Sequence, residues 1–318
     1  MNSILVAKES KMTYKIFDWL RKAEISLKKS MVYILGAAFL FGTMEVALKL
    51  AGAAFSAPQL TFLRFFIGGV FLLPFALRDL KKRQCKLEKG DWLYLFSLGF
   101  VCICVSMVLF QIGVMRTNAN LAAVIISASP VFTMIFAQFL VNETFTKRKA
   151  ATLILNVIGL VIVANPVKII GGKSGIDGIL ITLLASVAFG FYTALGKKRI
   201  AKIGGIAQNS LSFILGSAVL LLVLLVTRQP VVGGITPKSI PLLLYLGIMV
   251  TGVGYYCYIK AIELSGPSNA SITFFIKPVF APVIAFLVLK EPITINLVVG
   301  IVFILIGSYL SLTAKKAE

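Results

Sequence analysis

Residues 129–146, SPVFTMIFAQFLVNETFT, are answered 148 residues later by residues 277–294, KPVFAPVIAFLVLKEPIT. Pro130-Val131-Phe132 returns as Pro278-Val279-Phe280, Glu143 as Glu291 and Thr146 as Thr294, without a gap. The same offset carries Phe41-Gly42 to Phe189-Gly190, Lys49 to Lys197, Leu98-Gly99 to Leu246-Gly247, and Gly159 to Gly307. One such match is chance. Seven at a single shift, each at the same place in its apolar run, mark an internal repeat.

The runs that carry these matches set the class. Of 318 residues 58% are hydrophobic and 14% charged, with a mean hydropathy of +0.96, which a water-soluble fold could not cover. Stretches of about 20 apolar residues, the length needed to cross a bilayer as helix, recur from Met31 onward. Spans are expected near 30–50, 58–77, 91–112, 118–140, 149–165, 176–197, 206–227, 239–259, 267–289 and 294–313, with turn chemistry at breaks such as Ala57-Pro58, Asn165-Pro166, Gly171-Gly172 and Gly266-Pro267. Five spans per copy is odd, so the second copy enters the membrane from the opposite side. The expected fold class is an all-α integral membrane protein with ten transmembrane helices in two inverted five-helix repeats, 30–165 and 176–313. A cytoplasmic segment, 1–29, precedes them and a tail, 314–318, follows. Inverted repeats are a mark of secondary transporters.

Charge supplies the orientation. The formal charge is +20, from 32 Lys and Arg against 12 Asp and Glu. With spans alternating, 23 basic residues fall on the side of the termini and 7 on the other, which places both termini in the cytoplasm of a multi-pass protein of the cell (inner or plasma) membrane. Ile16, Leu20, Ala23 and Leu27 share one helical face and predict an amphipathic helix on the inner leaflet. No cleavable signal pattern precedes it, so the first span is expected to serve as its own signal. Nucleic acid is not an expected partner, because no stacking aromatics accompany the basic loops. There is no histidine, and the four cysteines lack metal-ligand or disulfide spacing, so no cofactor, metal or catalytic constellation is expected and the chain is not read as an enzyme.

The residues resemble the drug/metabolite transporter superfamily in its ten-helix EamA-type branch. The resemblance covers about residues 30–314. It rests on Phe41-Gly42-Thr43 with Lys49, Pro58 with Leu63-Arg64-Phe65, Asn118-Ala119 with Pro130 and Phe132, and Asn142-Glu143-Thr144-Phe145-Thr146. Ala261, Gly266, Ser268-Asn269-Ala270, Lys277-Pro278-Val279-Phe280 and Leu289-Lys290-Glu291-Pro292-Ile293-Thr294 answer in the second copy. The family's usual Trp-Gly is Phe41-Gly42 here, and Glu45 and Lys277 occupy positions commonly apolar in it. The resemblance implies export or exchange of small metabolites such as amino acids.

An ionised side chain in mid-helix costs roughly 2.5–3.5 kcal/mol on insertion scales, so each one needs a partner or a purpose. Glu45 and Arg64 count to similar depths below the outer boundary and are expected to pair, with Lys49 offering Glu45 a second counter-charge one turn away. Lys277 counts to the midplane, where no obvious neighbour neutralises it, and is expected to bind the anionic end of a substrate; pairing with Glu45 through helix tilt is the alternative. Pro130 and Pro278 are expected to loosen their helices at mid-depth and act as hinges, freeing the carbonyls of Ile126 and Phe274 near Ser127, Ser129 and Thr273. Phe189, Tyr192 and Thr193, Tyr255 and Tyr258, and Phe274 are candidate cavity walls. Glu143 and Glu291 read as caps or interface anchors for the following helix.

Together these give a secondary active transporter, an exporter or exchanger of a small polar or amphipathic metabolite, an amino acid or other carboxylate being the expected substrate. The substrate-binding set is Lys277, Glu45, Arg64, Ser129, Tyr192, Thr193, Tyr255, Tyr258, Thr273 and Phe274. The expected partners are the small-molecule substrate and the lipid bilayer, with a proton or counter-substrate as the coupling species; the sequence leaves the oligomeric state open. A flippase for a lipid-linked or apolar compound is the alternative.

Overall fold

The computed structural model describes residues 29–141, 147–164, 176–270 and 272–313. The expected amphipathic helix before residue 29, Glu143, Thr146, the breaks at Asn165-Pro166 and Gly171-Gly172 and the tail 314–318 lie outside the described residues. Within them every element is helical: α1 (Lys29–Ala51), α2 (Ala57–Lys82), α3 (Lys89–Arg116), α4 (Ala119–Leu140), α5 (Lys147–Ala164), α6 (Ile176–Gly196), α7 (Gly205–Val226), α8 (240–270), α9 (Ile272–Leu289) and α10 (Ile295–Thr313). Local chemistry sets several starts. Pro58 sits in the first turn of α2, where its missing N–H costs nothing, and Gln59 reaches back to the Ser56 N–H at 3.4 Å. At α3 the same device joins Asp91 to the Glu88 N–H at 3.0 Å.

Seven of the described helices, α1 to α4 and α6 to α8, are long and apolar enough to cross a membrane; α5, α9 and α10 contribute shorter apolar stretches, Ala150–Val163, Ile276–Leu289 and Ile295–Gly307. Length and composition therefore support seven of the ten expected spans. Lys147-Arg148-Lys149 opens α5 ahead of its apolar stretch, and Lys277 lies within that of α9. The loop expected at Gly266-Pro267 is a further difference: helix continues through it to Ala270 and resumes at Ile272.

Polarity is arranged for an apolar solvent. Val32, Leu35 and Phe39 on α1, Phe66 and Val70 on α2, and Phe286, Leu287 and Val288 on α9 face outward, whereas Glu45, Arg64, Ser106, Gln111, Ser186, Thr251 and Lys277 are buried. A chain in water would gain by the reverse; in hydrocarbon, backbone and polar groups must be satisfied within the bundle.

Helix contacts obey the sequence offset. A Cβ at Gly42 would lie 2.8 Å from Cβ of Phe280, and one at Gly190 would lie 2.5 Å from Cβ of Phe132, so α1 meets α9 as α6 meets α4. A Cβ at Gly68 would lie 3.0 Å from the Gly247 carbonyl oxygen and one at Gly216 2.5 Å from that of Gly99. Gly159 approaches Ile304 as Gly307 approaches Asn156. In all three cases adding 148 to one member and subtracting it from the other converts one contact into its mate. Side chains would separate these backbones, which is why small residues hold the crossings. A π-helical segment also recurs, Phe100–Met107 in α3 and Tyr245–Val253 in α8.

Candidate functional site

The Gly42 crossing brings α1 onto α9 and decides how the buried charges pair. Glu45, one turn beyond Gly42 and 0% exposed, places Oε1 2.6 Å from Nζ of Lys277, itself 3% exposed. Among the described residues neither carboxylate oxygen of Glu45 has a hydrogen-bond partner, so the contact is ionic and poorly aligned. Thr273, a turn before Lys277, is fully buried, its hydroxyl without a hydrogen-bond partner among the described residues. The lone midplane lysine expected from the sequence is therefore a paired one. Depth counting treated the helices as upright and the lysine as having no length, while the crossing and a side chain of four methylenes carry the ammonium up to the carboxylate.

Arg64 on α2 is left over. It is 1% exposed, and among the described residues no carboxylate lies within ion-pair distance. Its terminal nitrogens face thioethers, Nη1 3.7 Å from Sδ of Met44 and Nη2 3.3 Å from Sδ of Met107. Nε has no hydrogen-bond partner among the described residues, and the guanidinium carbon lies 4.3 Å from the Phe65 ring centroid. Sulfur is a weak acceptor, so this cation is poorly satisfied. The expected Glu45–Arg64 pair does not form. Nor does Lys49 serve Glu45: it lies 3.5 Å from Glu291 and donates to the Thr117 carbonyl.

Aromatic rings join the two charge positions. Arg64 rests on Phe65, which packs edge-on to Phe213 (4.8 Å); Phe213 meets Tyr255 (5.0 Å), and Tyr255 meets Phe41 (5.3 Å). Phe41 stacks on Phe274 at 6.4 Å, and Tyr258 closes the group 5.2 Å from Phe274. Tyr255, Tyr258, Phe274, Thr273, Lys277, Glu45 and Arg64 thus come together, with Phe41, Met44 and Met107 added by the structure.

The remaining expected wall residues have local partners. Tyr192 donates to Oδ1 of Asn209 at 3.1 Å and packs 5.5 Å from Phe189, while the Thr193 hydroxyl bonds its own helix at the Phe189 carbonyl. Ser129 is buried, and its carbonyl accepts from the Thr133 hydroxyl at 3.0 Å. The two prolines differ. Near Pro130 the α-helix breaks at Ala128, and the Ile125 carbonyl accepts from Ser186 of α6 at 3.2 Å; α9 runs unbroken through Pro278 and Pro282.

Two further carboxylates lie at the helix ends. Glu291 accepts from the backbone N–H groups of Ala119 (2.8 Å) and Asn120 (3.1 Å), so it caps α4 rather than the helix that follows it, where Thr294 accepts from Leu297 N–H at 3.3 Å. Asp91, at the opposite end of the bundle, is 0% exposed. It accepts from Arg199 at 2.5 Å and Lys202 at 2.7 Å in the segment joining α6 to α7. Its hydrogen bond holds the Lys202 ammonium above the ordinary lysine range. In the sequence Asp91 stands only as part of the turn Lys89-Gly90-Asp91, and its one signal is an acid in the third position of a helix that follows a basic loop.

A family model described as the EamA-like transporter family matches residues 28–165 and again 176–313, two segments offset by 148. An "Uncharacterized transporter" of Clostridium kluyveri is 39% identical over 295 residues, covering 91% of this chain and 95% of its own. Protein PagO of Salmonella typhimurium is 24% identical over 297 residues, covering 93% and 95%. A solved crystal structure superposes with a TM-score of 0.65 at 16% identity, covering 92% of this chain and 99% of that one, which shows a shared fold.

Proposed function

This chain belongs to the EamA-like transporter family, and from that premise we propose that it is a secondary active transporter exporting or exchanging a small carboxylate-bearing metabolite, an amino acid or related acid, by alternating access. Ten helices in two inverted halves, 30–165 and 176–313, would rock about the break near Pro130 and about Pro278 within α9. They would lie in the cell membrane with the basic ends, and both termini, in the cytoplasm. The observation that carries the reading is the contact mating: Gly42 to Phe280 with Gly190 to Phe132, Gly68 to Gly247 with Gly216 to Gly99. Two halves that make the same contacts in exchanged roles can trade conformations at no net cost, and so open one site to each face in turn. The twofold family match at the same offset supports it.

The buried charges support a polar cargo. Lys277, Arg64 and Glu45 lie where hydrocarbon would exclude them, around rings that could hold an apolar body. Counterflow in proteoliposomes tests the proposal: vesicles preloaded with unlabelled lactate or an amino acid should accumulate the labelled compound saturably and faster than empty vesicles. Flux that is linear in concentration and indifferent to preloading, for every acid tried, would refute it.

A further inference from the structure

Glu45, Lys277 and Arg64 bring one negative and two positive charges into a region 0–3% exposed. With Glu45 ionised and paired to Lys277 at 2.6 Å, the cluster holds one cation too many. That excess sits on Arg64, whose terminal nitrogens face the sulfurs of Met44 and Met107 and whose Nε has no hydrogen-bond partner among the described residues. A buried ion without a counter-ion costs several kcal/mol, and two thioethers do little to offset it. A guanidinium is a rigid fork built to take a carboxylate on two parallel N–H bonds, and thioether side chains move aside readily.

Resting on the transporter reading above, we infer that Arg64, not Lys277, receives the substrate's carboxylate, and that the substrate is a monoanion with an apolar body rather than a zwitterion. A monoanion brings the cluster to neutrality, whereas a zwitterion adds no net charge and leaves the excess cation in place. Methionine sulfurs beside the fork, and the rings of Phe65, Phe213, Tyr255 and Phe41 leading away from it, supply the surface for the apolar part. Glu45 and Lys277 neutralise each other and set the charge the site will accept.

The test uses the full chain in detergent and three probes with one branched body: 4-methylpentanoate (monoanion), leucine (zwitterion) and 3-methylbutylamine (cation), with affinities read by calorimetry. The wild type should bind 4-methylpentanoate most tightly, leucine less, and the amine not measurably. Arg64→Met should weaken 4-methylpentanoate by about 10- to 100-fold, the worth of hydrogen bonds to a charged group, and Arg64→Lys by less. Glu45→Gln makes the cluster doubly positive and should tighten 4-methylpentanoate roughly tenfold, a gain that misfolding cannot mimic. Equal binding to Arg64→Met and wild type, weaker binding to Glu45→Gln, a preference for leucine, or binding of none of the three would each overturn the inference. Counterflow of lactate or an amino acid that persists alongside such a result would leave the transporter reading standing.

Discussion

Asp91 and Glu45 are both carboxylates with no exposed surface, yet their surroundings are opposite in kind. Asp91 accepts from Arg199, Lys202 and the Glu88 N–H, and its two cationic partners are 39% and 43% exposed. Among the described residues Glu45 has one ionic contact, to a lysine side chain 4% exposed, and no hydrogen bond. The first acid is fully engaged by groups that remain in water, so it closes a joint between α3 and the segment linking α6 to α7. The second sits in a cluster whose groups are desolvated without compensation. Such a cluster is worse for stability than an apolar core would be.

Removing Lys277 should produce the largest effect. Lys277→Met strands Glu45 as an unpaired buried charge and should cost about 3–5 kcal/mol in unfolding experiments in detergent. The double variant Glu45→Gln with Lys277→Met should recover most of that loss. Additive losses would mean that the pair is not coupled, and the contrast with the rim would lose its basis. Asp91→Asn should cost less, about 1.5–3 kcal/mol, since its partners can fall back on water, and the loss should shrink as salt is raised. A salt-independent loss as large as that of Lys277→Met would place the two acids in one class.

The repeat was legible because identical contacts need identical residue types. Gly42 and Gly190 had to be small for Phe280 and Phe132 to approach, and the offset survives in the sequence. The tyrosines and Phe274 were legible as a group because each shares a helical face with a charged or aromatic neighbour. The pairing of Glu45 was not. Three cations, Arg64, Lys49 and Lys277, compete for it, and the outcome depends on the crossing at Gly42, a tertiary fact with no local signature. Met44 and Met107 read as ordinary apolar residues; only the arrival of Arg64 between them gives their sulfurs a role. Asp91 was hidden for a related reason, since its partners lie more than a hundred residues away.

Smaller effects sharpen the comparison at the helix ends. Glu291 resembles Asp91 in having both oxygens engaged, in its case by backbone N–H groups at the start of α4. Glu291→Ala should cost about 1 kcal/mol, in the range of a lost helix cap, without altering ligand affinity. Lys202 gives the smallest and most selective signal. Its ammonium is held above the ordinary lysine range by Asp91, so its contribution is complete below the unfolded lysine value and disappears as pH rises through the raised folded value. Stability should be flat with respect to this group through neutral pH and fall only in alkali, and Lys202→Arg should remove that component of the fall.

The account stands most directly on one site being reached from either face but never both. With the four native cysteines replaced by alanine, Thr273→Cys puts a thiol beside Lys277 at a fully buried position. Labelling by a membrane-impermeant maleimide is then measured from each side of oriented vesicles, with and without 4-methylpentanoate. The account predicts a thiol reached from one face in one condition and from the other face in the second. A thiol reached from the same single face in both conditions, or from both faces at once, would contradict it.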